Sequence, residues 1–312
     1  MTAARPTPPW PEGAMLLTDG GLETTLVFHE GLDLPDFAAF PLVTTAPGRA
    51  VLRRYYRAYA EIARRHGLGI VLDTPTWRAS ADWGARLGFD ADDLAAINGA
   101  AVALVDEIRA ESAPGTPVFR SGNVGPRGDG YQVGARMTVR ESREYHRPQV
   151  AAFAAADADL VTVLTMTYAE EAVGVAEAAR AESMPVAVGF TVEIDGALPS
   201  GQSLAEAIEQ VDAATGGYPV HYGINCAHPD HFASTLRSEP WAERIGLLRA
   251  NASRLSHAEL DEAAELDTGD PAELGEQYAA LRRRFPNLVV LGGCCGTDDR
   301  HVAAIAAACA GE

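Results

Sequence analysis

The chain repeats one local pattern eight times: a short apolar run, a turn rich in glycine and polar residues, and an alanine-rich amphipathic stretch. Runs that are apolar throughout, rather than alternating, are typical of strands in a parallel sheet that is covered on both faces. The predicted strands are residues 14–18, 69–73, 118–122, 160–164, 186–190, 222–225, 244–248 and 288–291. The predicted helices are residues 48–66, 92–112, 138–156, 169–183, 203–214, 230–238, 271–285 and 298–310.

Eight strand–helix units in 312 residues favour a single (β/α)8 TIM barrel over a doubly wound open sheet. The open sheet is disfavoured because no G-x-G-x-x-G motif follows the first predicted strand, and GGLETT does not replace it. The predicted domain organisation is therefore a flexible, proline-rich N-terminal arm at residues 1–13 and one barrel domain at residues 14–312.

Composition excludes several classes of partner. Hydrophobic residues make up 47% of the chain and charged residues 22%, which predicts a full globular core. The formal net charge of −18 disfavours binding to nucleic acid or to anionic lipid. No apolar run reaches the roughly 18 residues of a membrane span, and no signal peptide is recognisable. We therefore expect a cytoplasmic protein with small-molecule partners, and exposed barrel helices leave a homo-oligomer open.

Polar motifs follow the predicted strands directly. They are TDGGLETT, DTPTW, SGNVGPRGDG, GINCAHP, RANAS and GGCCGTDD. In a barrel the carboxyl ends of all strands meet at one face, where active sites are built. The barrel prediction therefore brings together residues about 200 positions apart in the sequence.

Three cysteines belong to these motifs. Cys226 follows the sixth predicted strand, and the vicinal pair Cys294 and Cys295 follows the eighth. Three thiolates form a soft ligand set that favours zinc over magnesium or calcium, at Zn–S bonds of about 2.3 Å. Three protein ligands leave one tetrahedral position open, which is typical of a catalytic zinc that activates an incoming thiol. The alternatives are a redox dithiol at Cys294–Cys295 and inert packing, the role that we assign to Cys309 on its apolar helix.

GINCAHP and GGCCGT resemble the zinc-dependent homocysteine S-methyltransferase family, which includes betaine- and S-methylmethionine-homocysteine methyltransferases. The resemblance covers nearly the whole chain in order, through DGGLETTL, DTPTWRAS, SGNVGPRGD, LPSGQSL, GINCAHP, ANAS and GGCCGTDDRH. It implies a (β/α)8 barrel, Zn²⁺ ligands at Cys226, Cys294 and Cys295, and homocysteine as methyl acceptor. No segment is left for a cobalamin or folate domain. We therefore expect a cationic onium donor, with S-methylmethionine or S-adenosylmethionine ahead of betaine.

One position departs from the family pattern. Family members commonly carry a Glu-Thr pair at the end of the fourth strand, where the Glu contacts the amino group of homocysteine. Here Leu164 and Thr165 occupy these positions, and a leucine cannot neutralise an ammonium group. Either another carboxylate such as Asp73, Glu23 or Glu193 replaces the contact, or the acceptor is a different thiol or selenol. A non-catalytic zinc barrel is an alternative of another class.

Further residues are candidates for substrate binding. Asp19, Gly20 and Gly21 end the first predicted strand, and the resemblance favours a role in holding the polar end of the acceptor over a role as helix cap and turn. Asn225 and Asn251 end the sixth and seventh strands. Their side chains either orient a ligand or tie together local turns.

Four aromatic residues are predicted near the barrel mouth: Trp77, Trp83, Tyr131 and Tyr168. Aromatic faces attract sulfonium and quaternary ammonium cations by roughly 0.5–2 kcal/mol each. Ordinary packing is the alternative for each of them. Trp77 is the preferred donor contact because it lies just beyond the end of the second predicted strand.

Overall fold

The computed structural model of the chain describes residues 5–112, 115–262 and 265–310. Parallel strands in these ranges close into one barrel in chain order, with β8 pairing with β1. The strands are β1 Leu16–Thr18, β2 Gly69–Asp73, β3 Val118–Val124, β4 Leu160–Met166, β5 Val186–Phe190, β6 His221–Asn225, β7 Ile245–Ala250 and β8 Val290–Gly293. The predicted (β/α)8 barrel is confirmed.

Four strands extend two residues further than predicted at their carboxyl ends. They are β3, β4, β7 and β8, and the added residues include Asn123, Thr165 and Arg249. Strand pairing uses backbone groups, so polar side chains at the barrel mouth do not end a strand whose neighbours continue. Part of each polar motif therefore lies in the sheet itself.

The helices are α1 Leu22–Thr24, α2 Ala46–Arg65, α3 Ala81–Arg86, α4 Ala91–Glu111, α5 Val139–Ala155, α6 Ala169–Ala181, α7 Leu204–Thr215, α8 Pro229–Phe232, α9 His257–Glu262, α10 Pro271–Arg284 and α11 Asp299–Cys309. A π-helical turn at Thr25–His29 and 3-10 turns at Pro35–Phe37, Phe40–Thr44 and Ala242–Arg244 complete the described elements. The predicted helix at 230–238 is wrong beyond Phe232. There the Thr235 hydroxyl donates a hydrogen bond of 2.9 Å to the Phe232 carbonyl and competes with the helical backbone bond.

Local signals act as expected at several helix ends. Thr138 caps α5: its hydroxyl accepts from the Glu141 amide (3.3 Å), and the Glu141 carboxylate accepts from the Thr138 amide (2.8 Å).

None of the helices in the described ranges combines the length and the apolar composition that crossing a membrane requires.

The amino-terminal end of the barrel is covered by Trp10. Its ring is 5.7 Å from that of Phe119 and 5.8 Å from that of His221, measured between centroids. Residues 1–4 of the predicted arm and residues 311–312 of the predicted barrel domain lie outside the described ranges. The division at residue 13 stays a prediction.

Candidate metal and active site

Three cysteine thiols lie together at the carboxyl end of the barrel. Cys226 follows β6, Cys294 and Cys295 follow β8, and their sulfur atoms all lie within 4.8 Å of one another. Cys226 Sγ is 3.9 Å from Cys295 Sγ, and Cys226 is in disulfide contact with Cys294, with Cα atoms 5.4 Å apart. In the described part of the chain, no other three His, Cys, Asp or Glu side chains gather in this way.

The loop after β6 holds Cys226 in an unusual backbone conformation. Its φ angle of 53° lies in the left-handed region, which costs about 1–3 kcal/mol for a residue other than glycine. The Cys226 amide donates to the Arg249 carbonyl (3.1 Å), and the Cys226 carbonyl accepts from His257 Nε2 (2.7 Å) and the Thr191 hydroxyl (3.3 Å). These bonds from three other segments stabilise the turn that places the thiol beside Cys294 and Cys295.

The glycines beside the vicinal cysteines have two different roles. Gly296 has a φ angle of 78° and makes the turn after Cys295. Gly292 and Gly293 instead allow close packing, because a Cβ atom on Gly292 would overlap the Thr18 side chain and one on Gly293 the Thr297 side chain. Gly292 thus lets β8 pack against β1, and Gly293 lets the loop after β8 fold back on the strand.

A cavity of about 440 Å³ opens at this end of the barrel. The predicted site residues that line it are Cys226, Cys294, Cys295, Asp19, Gly20, Gly21, Asp73, Trp77 and Thr165. Asn225 and Asn251 are buried behind this lining. The barrel therefore brings nine of these eleven residues to one cavity wall.

A buried arginine, which the sequence analysis missed, organises the base of this cavity. The Arg249 side chain is 5% exposed, lies 2.9 Å from Asp19, and forms an ion pair with Asp73. It also donates to the Gly293 carbonyl (3.0 Å) and the Thr18 hydroxyl (3.1 Å). Burial lowers the pKa of Arg249, but the two carboxylates more than compensate and raise it overall. An arginine after an apolar strand run was the signal, because a buried charge needs a partner.

The residues at the end of β1 are tied into the same network. Asp19 accepts a hydrogen bond of 2.8 Å from the Tyr55 hydroxyl in addition to its contact with Arg249. The Gly21 amide donates to the Thr297 carbonyl at 3.1 Å, so it joins the loops that follow β1 and β8. Asp19 and Gly21 therefore have protein partners before any substrate arrives.

Asn225 positions Thr165. Its Oδ1 accepts from the Thr165 amide and its Nδ2 donates to the Thr165 hydroxyl, both at 2.9 Å. Thr165 has a φ angle of 65°, which is rare for a β-branched residue and is supported by this two-point contact. The backbone amide of Asn251, in contrast, donates to the Ala227 carbonyl at 3.1 Å and so ties together the loops after β7 and β6.

The four aromatic candidates divide into two pairs. Trp77 and Tyr131 line the cavity, whereas Trp83 and Tyr168 do not and are 8% and 4% exposed. The Tyr131 ring stacks on His257 at 4.1 Å between centroids, and its hydroxyl lies 3.2 Å from Cys295 Sγ. Of the four aromatic candidates, Tyr131 is therefore the one whose hydroxyl contacts the sulfur cluster.

Leu164 and Glu23 also line the cavity. Leu164 is 5% exposed and packs among apolar side chains of the barrel interior, so β4 presents no charge at this point. Burial is the main cause that raises the pKa of Glu23 to about 7, and the negative charge of Asp19 adds to it.

His228 stands apart from the sulfur cluster and caps α8, and burial lowers its pKa to about 4.

Comparison with known proteins agrees with this geometry. The profile of the homocysteine S-methyltransferase family matches residues 16–309. Homocysteine S-methyltransferase of Escherichia coli strain K12 is 28% identical over 317 residues, covering 94% of this chain and 94% of the relative. The homocysteine methyltransferase MmuM from Escherichia coli has the same fold: its oxidized form superposes with a TM-score of 0.71 at 23% identity, covering 94% of this chain and 95% of that one. Its metallated form gives 0.71 at 21% identity, covering 94% and 96%. The chain belongs to the homocysteine S-methyltransferase family.

Proposed function

We propose that this protein transfers a methyl group from a small onium donor to homocysteine, giving methionine, with a zinc ion held by Cys226, Cys294 and Cys295. The observation that carries the proposal is the grouping of three thiols within 4.8 Å beside a cavity of about 440 Å³, in a member of this family. MmuM, which shares the fold, has a metallated form, and this supports metal binding by the present chain.

The spacing of the thiols fits a zinc ion. Tetrahedral coordination with Zn–S bonds of about 2.3 Å separates two sulfur atoms by about 3.8 Å. Cys226 and Cys295 are 3.9 Å apart, whereas Cys226 and Cys294 are in disulfide contact, so this pair must be reduced before all three can bind the metal. When bound, zinc would hold the cysteines as thiolates and lower the pKa of an incoming thiol, which makes the acceptor sulfur nucleophilic at neutral pH.

Other side chains would position the reactants. Tyr131 and Trp77 offer aromatic faces at the cavity wall, and each attracts a sulfonium or quaternary ammonium donor by roughly 0.5–2 kcal/mol. Thr165 lies at the end of β4 and is oriented by Asn225. S-methylmethionine or S-adenosylmethionine is the donor that we favour over betaine.

The amino group of homocysteine requires a carboxylate that Leu164 does not provide. Asp73 is already paired within the barrel base, and Glu193 lies 3.2 Å from His257. Glu23 lines the cavity and has no ion pair with any lysine, arginine or histidine in the described ranges. We therefore assign the ammonium contact to Glu23.

A different thiol or selenol acceptor is the second candidate function, and the apolar wall at Leu164 favours it. Turnover on homocysteine and on 3-mercaptopropionate separates the two. If Glu23 binds the ammonium group, the wild type should turn over homocysteine faster than 3-mercaptopropionate. Glu23→Gln should reduce this preference. Equal turnover on both thiols would contradict the assignment of homocysteine.

Elemental analysis of the purified protein tests the zinc site, together with a titration of free thiols. We expect about one zinc ion per chain, and loss of both zinc and turnover in Cys226→Ser, because two thiolates bind zinc much less tightly than three. Cys309→Ser is the matched control, since Cys309 is buried in α11 away from the cluster and should keep both.

Two results would overturn the zinc mechanism. One is full activity of serine variants at all three cluster cysteines. The other is a protein without zinc in which two thiols are missing from the titration. That second result would indicate a redox dithiol, for which Cys226 and Cys294 are a candidate pair beside the vicinal Cys294 and Cys295, because their sulfur atoms are in contact.

A further inference from the structure

Arg78 is a cation in the cavity wall without an acidic partner at contact distance. It lies in the loop after β2, and its guanidinium carbon is 3.6 Å from the centroid of the Trp83 ring and 4.7 Å from that of Trp77. Its Nε and Nη1 atoms are buried and have no hydrogen-bond partner. It forms no ion pair with a carboxylate in the ranges that the structure describes.

This arrangement differs from that of Arg249, the other arginine of the cavity. Arg249 has two carboxylates in contact, whereas Arg78 has only more distant ones, and burial is the main cause that lowers its pKa. A buried N–H donor without an acceptor costs about 1–3 kcal/mol, more when it is charged. The indole rings stabilise the charge of Arg78 but give Nε and Nη1 no hydrogen-bond acceptor, so a ligand is the natural source of the missing acceptor.

The chemistry of the side chain defines that ligand. A guanidinium that packs against two indole rings is oriented in advance, and its planar set of donors matches the two oxygens of a carboxylate. Two acidic residues of the same cavity, Glu23 and Asp129, lie close enough to Arg78 to stabilise its positive charge and raise its pKa. One cavity thus holds a positive group and negative groups a short distance apart, which is complementary to the zwitterion of an α-amino acid.

We propose that Arg78 binds the α-carboxylate of an amino-acid substrate, with Glu23 facing the ammonium group of that substrate. The inference rests on the proposed function, in which homocysteine and the favoured sulfonium donors all carry this group. It also accounts for an apolar residue at Leu164, because the zwitterion is then recognised from the β1 and β2 loops rather than from β4.

Steady-state kinetics of the zinc-loaded enzyme test the proposal with pairs of substrates that differ only in the carboxylate. One arm compares homocysteine with 3-aminopropanethiol as acceptor. The other compares S-methylmethionine with (3-aminopropyl)dimethylsulfonium as donor. Because a charge-assisted bidentate contact is removed, Arg78→Gln should raise KM about 10- to 100-fold for the carboxylate-bearing member of one pair. KM for its decarboxylated counterpart should stay unchanged.

Two further variants control for folding and for stacking. Arg78→Lys keeps the charge without the planar fork and should give an intermediate KM. Arg86→Gln removes the other arginine on Trp83, whose guanidinium carbon is 4.4 Å from the ring centroid and whose side chain is 60% exposed. Arg86 does not line the cavity, so this variant should behave like the wild type.

The pattern of results separates this inference from the proposed function. A change in the acceptor arm assigns the carboxylate to homocysteine, and a change in the donor arm assigns it to the donor. Equal KM increases for both members of a pair, or Arg78→Gln kinetics like those of Arg86→Gln, would overturn the role of Arg78 and leave the methyl transfer intact. Calorimetric titration with homocysteine and S-methylmethionine measures binding without turnover. If the wild type binds one of them but transfers no methyl group, the proposed function fails. If that binding is lost in Arg78→Gln, the carboxylate site is nevertheless supported.

Discussion

Replacing Arg249 with leucine removes the cation that two buried carboxylates share. The side chains of Asp19 and Asp73 are 3% and 4% exposed, so water cannot take over the role of the guanidinium. Removing one partner of a buried ion pair costs about 3–5 kcal/mol, because the remaining charge is left unpaired. We expect Arg249→Leu to lower the free energy of unfolding by this amount. With an unfolding entropy of about 2.1 cal/mol/K per residue, the melting temperature should fall by about 5–8 °C.

Isothermal chemical denaturation and a thermal melt measure this loss, and Arg254→Leu is the matched control. Arg254 lies five residues further along the chain and also contacts two carboxylates, including Asp230 at 2.7 Å, but its side chain is 49% exposed. An exposed ion pair contributes about 0–1 kcal/mol, so this variant should melt within about 2 °C of the wild type.

The destabilisation should also depend on pH. Burial raises the pKa of Asp73 above the ordinary carboxyl range even with Arg249 beside it. Without Arg249 the carboxyl is protonated more readily in the folded state, so one unpaired charge disappears as the pH falls. The difference between variant and wild type should therefore be smaller at pH 5 than at pH 8. A loss below about 1 kcal/mol, or a loss equal to that of Arg254→Leu, would refute the assignment of a paired buried network.

Two further substitutions test the cavity wall. The pKa of Glu23 is about 7 in the folded protein, above its ordinary value, so its ionisation removes stability as the pH rises from about 4.5 through 7. Glu23→Gln should therefore be more stable than the wild type by about 1–3 kcal/mol at pH 8 and similar to it at pH 4. The same melting temperature for variant and wild type at both pH values would contradict this. Asn225→Ala removes both hydrogen bonds to Thr165 and should cost about 1–3 kcal/mol in chemical denaturation; an unchanged midpoint would show that the left-handed conformation of Thr165 has other support.

Local pattern was sufficient to predict the barrel. Strand runs such as β2 and β5 are apolar on both faces and the helices have their own periodicity, so the strand and helix positions could be predicted without knowledge of contacts. The convergence of Cys226 with Cys294 and Cys295 then followed from the rule that strand ends meet at one face. The errors were at element ends: four strands continue two residues further than predicted, and α8 ends early at a side-chain hydrogen bond.

Contacts that depend on closure of the barrel could not be predicted. Arg249 reaches Asp73 across 176 residues and Thr18 across 231, and only the pairing of β8 with β1 brings these residues together. The same closure decides which carboxylate has a protein partner, and so distinguishes Asp73 from Glu23.

The sequence by itself therefore determined the barrel, the end of it that holds the site, and the three cysteines, because these depend on local periodicity and on the order of motifs. Only the tertiary structure decided which charges are paired. Arg249 contacts two carboxylates and Arg78 two indole rings, although both arginines belong to polar motifs near the carboxyl ends of strands. The physical reason is that the free energy of a buried charge depends on its neighbours in space, and those neighbours come from strands far apart in the chain.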